Sequence, residues 1–122
     1  SAEEQAAQLK IDLQVLATEQ IVASADEWIA RAALEGGYDG QQVAELLIKA
    51  AGKFQPAASV NEAIAVLRDQ GVINSVGYWQ QNCVPGGLCS ANNVARLVNK
   101  LAEAVRPELT PATREAPGPG RR

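Results

Sequence analysis

Residues 77–96 read GYWQQNCVPGGLCSANNVAR, from Gly77 to Arg96. This stretch holds both cysteines, one of the two tryptophans and one of the two tyrosines. Segments with helical spacing lie on both sides of it. Cys83 and Cys89 are separated by Val84-Pro85-Gly86-Gly87-Leu88, an insert able to turn sharply and bring the two sulfurs together. A disulfide between Cys83 and Cys89 is therefore expected, clipping the end of one helix to the start of the next. Zinc is a poor alternative for two cysteines in a chain without histidine. The spacing is also not the Cys-x-x-Cys of thioredoxin-like centres.

Outward from that joint, helix signals recur. Ser90 caps a helix in which Val94, Leu97, Val98, Leu101 and Val105 share one face, and Pro107 stops it. On the other side, Asn74 to Gln81 reads as a short helix behind Ser75, with Tyr78 and Trp79 as its apolar content. Ser59-Val60-Asn61-Glu62 forms a capping box for a helix burying Ala63, Ile64 and Leu67. Gly71 ends it, with Val72 and Ile73 as the hydrophobic closure of a Schellman motif. Asp39-Gly40-Gln41-Gln42 opens a helix to about Lys53, with Val43, Leu46, Leu47 and Ala50 inward. Ser24-Ala25-Asp26-Glu27 either opens another or marks a bend in one long helix, ended by Glu35-Gly36-Gly37.

Residues 2–23 read as the first helix, since Leu9, Leu13 and Leu16 fall on one face. Ile11, Leu13 and Val15 also alternate as in a strand, but helix-forming residues on both sides favour a helix. No internal repeat is expected. The fold class is all-α: a compact bundle of four to five helices over residues 1–106, with one disulfide-clipped loop. Residues 107–122 hold four prolines and two glycines and read as a flexible tail.

Composition narrows the function. Residues 1–105 carry 7 Lys+Arg and 12 Asp+Glu, a net charge of −5. That argues against non-specific nucleic-acid binding, which needs a basic footprint. The absence of histidine removes the commonest general base and metal ligand. No catalytic residues, metal ligands or cofactor motif emerge. Glu3-Glu4 and Asp26-Glu27 sit at helix starts, where the macrodipole accounts for them. Pro85-Gly86-Gly87 lacks the pattern of a phosphate loop. No apolar run is long enough for a membrane span. The start at Ser1-Ala2 fits a chain left by signal cleavage and equally a trimmed one.

Ser59 to Ile73, SVNEAIAVLRDQGVI, resembles the recognition helix and exit of winged helix-turn-helix DNA-binding domains. The resemblance implies a cytosolic regulator, but the segment offers only Arg68 as a basic reader and places Glu62 at its start. The preferred expectation is a non-catalytic exported domain, periplasmic or extracellular, binding another protein or a cell-envelope component. An immunity-type inhibitor of a secreted toxin or an envelope-assembly subunit fits the description. Core packing is the default for the large aromatic side chains; Tyr78 and Trp79, beside the cysteine loop, are the candidate partner-binding residues, because such side chains dominate binding hot spots. Nothing in the pattern sets an oligomeric state.

Overall fold

The computed structural model describes residues 1–106. The expected tail, 107–122, lies outside the described residues. Six helices and one two-stranded ribbon follow in the order α1 (Ala2–Thr18), α2 (Ala25–Glu35), β1 (Gly37–Asp39), α3 (Gly40–Ala51), α4 (Val60–Asp69), α5 (Val76–Asn82), β2 (Leu88–Ser90) and α6 (Ala91–Val105). The mostly helical class holds. The ribbon is an addition: the three-residue strands Gly37-Tyr38-Asp39 and Leu88-Cys89-Ser90 are too short to carry an alternating pattern that would announce them.

The caps are satisfied where the sequence places them. Ser24, Ser59 and Ser90 each accept a hydrogen bond from the backbone N–H three residues on. The Asp39 carboxylate accepts from Gln41 N and Gln42 N. Ser75 does not cap α5; its hydroxyl donates to Asn74 Oδ1. Gly71 adopts φ 78° and completes the expected Schellman motif, with Gly71 N bonded to Arg68 O and Val72 N to Leu67 O.

The first helix ends sooner than its pattern suggests. It stops at Thr18, and Gln20 takes φ 63°, the left-handed conformation usually left to glycine. Gln20 N bonds to Ala17 O and Ile21 N to Leu16 O, the same closure as at Gly71. Ile21 and Val22 are buried as the hydrophobic closure of α1, beyond its last turn.

These two closures belong to a larger correspondence, and the expectation of no internal repeat is wrong. Shifting the chain by 51 positions carries Thr18, the end of α1, onto Asp69, the end of α4. The same shift carries the start of α2 onto that of α5, all of β1 onto β2, and the start of α3 onto that of α6. Residues retained across it include Leu16/Leu67, Ser24/Ser75, Trp28/Trp79, Val43/Val94, Leu46/Leu97 and Lys49/Lys100. The chain is two copies of one helix–helix–strand–helix unit.

The copies are interlocked. β1 pairs antiparallel with β2 in the register Gly37↔Ser90, Tyr38↔Cys89, Asp39↔Leu88. The 51-residue shift exchanges the first and last of these pairs, so an approximate two-fold passes through Tyr38–Cys89. Consistent with that, α1 packs on α6 as α4 packs on α3. Each unit's first helix thus lies on the last helix of the other. One continuous core results, with Leu13, Leu16, Leu47, Leu67, Val98 and Leu101 fully buried. The segment resembling a recognition helix is α4. It leads into α5 rather than a wing hairpin, and Arg68 is paired with Asp69 at 3.2 Å.

Candidate functional site

Helix α5 carries Tyr78 and Trp79 to the edge of α6. Trp79 is 6% exposed, so its ring belongs to the core. It does not stand out from the surface as an anchor. Tyr78 is half-buried and meets Trp79 edge-to-face, with centroids 5.0 Å apart and planes at 87°. The Tyr78 hydroxyl accepts a hydrogen bond from Ser90 N at 2.9 Å. That bond ties α5 to the start of α6 and sets the ring. Burial would raise the Tyr78 phenol, but the Ser90 N–H, aided by the Asn93 and Ser90 side chains, brings it below its ordinary value.

Between α5 and α6 lies a concavity of about 220 Å³. Val72, Trp79 and Leu97 line its apolar part, and Tyr78, Arg96 and Lys100 its polar part. Arg96 donates to Asn93 Oδ1, its one hydrogen bond among the described residues. Lys100 makes no ion pair among them. These two cations, one turn apart on α6, are what the sequence reading missed. On a helix map they look like an ordinary solvated face; the clue available was their i, i+4 spacing in an acidic chain.

Cys83 caps the C-terminal end of α5, and Cys89 is the middle residue of β2. The turn brings them together as expected, but the expected disulfide is not formed. Both are free, buried thiols with Sγ atoms 3.7 Å apart. That is a hydrogen-bonding separation; a disulfide needs about 2.05 Å. Their mutual hydrogen bond lowers the Cys89 thiol, against the opposing effects of burial and Asp39. The same bond raises Cys83, with burial acting in the same direction.

A second polar feature lies between α1 and α6. Asp12 is 2% exposed. Its Oδ1 accepts from Gln8 Nε2 at 2.9 Å and its Oδ2 from Asn99 Nδ2 at 3.0 Å. The 51-residue shift carries Asp12 onto Ala63, and Asn99 is the counterpart of Ile48. One helix crossing is therefore cross-linked by polar groups where its twin is apolar.

No cluster of three or more His, Cys, Asp or Glu side chains among the described residues is arranged to hold a metal ion. No described helix is long and apolar enough to cross a membrane. No protein family, curated protein or solved structure matches this chain.

Proposed function

We propose that the protein is a non-catalytic binding domain, exported to the periplasm or the extracellular space, that acts through protein–protein contacts. An immunity-type inhibitor or an envelope-assembly subunit is the kind of role intended. The concavity between α5 and α6 carries this reading. It presents a preset aromatic wall at Tyr78, an apolar floor over Trp79 and two cations without acidic partners, all on rigid helices. Pre-set aromatic groups beside an apolar pocket are the usual makings of a binding hot spot.

The export half of the proposal rests on the cysteines. Oxidation of Cys83 and Cys89 by a disulfide donor would remove both thiol protons and pass two electrons to that donor. The sulfurs would need to close by less than about 2 Å to reach bonding distance. An oxidising compartment favours that product. Protein isolated from its native source and unfolded without reductant should then take up no iodoacetamide. Labelling of both cysteines would remove the support for export.

A photo-crosslinking residue placed at position 78 tests the binding half in envelope extract. It should trap one discrete partner, and the same residue at exposed position 69, on α4, should not. Equal trapping at both positions, or none at position 78, counts against the site.

A further inference from the structure

The repeated unit supplies the concavity twice. The first, beside α3, is lined by Ile21, Trp28 and Leu46; the second, beside α6, by Val72, Trp79 and Leu97. These are the same three positions under the 51-residue shift. Lys49 of the first becomes Lys100 of the second. The floor and the lysine are thus common to both.

The rims differ: the first also holds Arg31, whose counterpart is Asn82. Glu27 is replaced by Tyr78 and Glu45 by Arg96. The first concavity, which also includes Asp39, therefore sets three carboxylates of its own chain against two cations, Arg31 and Lys49. The second has no carboxylate in its lining. Arg96 and Lys100, both exposed, stand there one turn apart on the same helix face. Like charges at that spacing repel. In a body of net charge −5, this leaves a local positive site whose two cations make no ion pair among the described residues. Charge complementarity at a concave site selects partners of the opposite sign and speeds their encounter.

We infer that the α5–α6 concavity takes an acidic peptide segment of the partner. One apolar side chain of that segment enters the space of about 220 Å³ over Trp79 and Leu97. Carboxylates flanking it pair with Arg96 and Lys100. The inference rests on the reading of this concavity as the partner site and names the partner's chemistry. A nucleic acid fits less well, because two cations on an acidic body give little counterion release. A lipid surface fits less well too, since recognition of anionic headgroups draws on clusters of about 4–8 basic residues and this site has two.

Selection of displayed random linear peptides against the full-length protein, at about 0.15 M ionic strength, tests it. Enriched peptides should carry an apolar residue with at least two acids within a few positions of it. Replacing Arg96→Glu together with Lys100→Glu should weaken such peptides by about tenfold or more. Both side chains are exposed, and circular dichroism should show the fold unchanged. Glu45→Arg, at the twin position, should leave their affinity within about twofold. Enriched peptides that compete at the site and are lost on Tyr78→Ala, yet are basic or uncharged, would overturn the acidic identity and leave the binding site standing. Absence of any enriched peptide competing at the site would overturn both. Binding through Arg96 and Lys100 to phosphatidylserine-containing vesicles, with no peptide enriched, would assign the site to a membrane surface instead.

Discussion

Tyr38 and Cys89 face each other at the centre of the ribbon, and each is the other's counterpart in the repeated unit. The two units therefore meet at their own equivalent positions, as the subunits of a symmetric dimer do. At that junction the identities have diverged. Tyr38 reaches toward Trp28, with ring centroids 5.0 Å apart, whereas Cys89 meets Cys83. The N-terminal unit fills its half of the junction with aromatic rings and the C-terminal unit with a pair of thiols.

Interlocking makes a strong demand on chain continuity. α1 needs α6, α4 needs α3, and each strand needs the other. A cut in the connection between α3 and α4, at Gln55, leaves two pieces that each lack the partner of their first helix. Domains of about 60 residues are marginal even with a complete core, and each piece here lacks the partner of its first helix. Each fragment should show weak, non-cooperative helical circular dichroism. Mixing them should restore a one-to-one complex with a single melting transition. A full cooperative melt from either fragment alone would show that the units are independent.

The helices were legible because their signals are local. Ser24, Asp39, Ser59 and Ser90 sit next to the turns they cap, and Gly36 and Gly71 mark ends that only a left-handed residue can make. Gln20 fills the same role without the identity that would betray it. The ribbon was hidden because its partners lie far apart in sequence and each strand is three residues long. The repeat was hidden because what it retains, such as Leu46/Leu97 and Val43/Val94, looks like any helical core. The groove needed both: only the fold shows that α5 and α6 place Tyr78 beside Arg96 and Lys100.

The Asp12–Asn99 link offers a direct comparison with its apolar twin. Asp12→Ala alone leaves the half-buried Asn99 amide without its acceptor, and should cost about 2 kcal/mol. Asp12→Ala combined with Asn99→Ile copies Ala63 and Ile48 from the other crossing. Exchanging a buried polar pair for a packed apolar one is often neutral or stabilising. The double variant should therefore lie within about 1 kcal/mol of the parent in urea unfolding, and the cycle should show strong coupling. Additive losses would mean that the two residues act separately.

Gly40 tests the packing of the joint. Its N–H donates to Gly87 O at 2.8 Å, and a Cβ there would overlap the carbonyl oxygens of Asn82 and Val84. Those are backbone atoms and have little room to move. Gly40→Ala should destabilise by about 2 kcal/mol, as overpacking does, which is roughly 10 °C in Tm for a domain of this size. The twin position already carries a methyl group at Ala91, so Ala91→Gly should cost less than about 1 kcal/mol. Similar effects at the two sites would show that the Gly40 contact relaxes easily.

Tyr38 carries a cost that its twin does not. Its ring is 1% exposed, and its hydroxyl has no hydrogen-bond partner among the described residues. A buried unsatisfied hydroxyl costs about 1–3 kcal/mol. Tyr38→Phe keeps the contact with Trp28 and removes that cost, so the variant should be more stable by about 1 kcal/mol. The pH dependence has a definite sign. Burial raises the Tyr38 phenol above its usual value of 10.0, so the folded protein holds this proton after the unfolded chain has lost it. Its contribution to stability is complete below the unfolded value and is lost as pH rises toward the folded one. The advantage of Tyr38→Phe over the parent should therefore be constant up to about pH 9 and grow above about pH 10. Melting temperatures of the two proteins across that range decide it. A difference that stays flat, or that narrows at high pH, would mean that the hydroxyl is satisfied in solution.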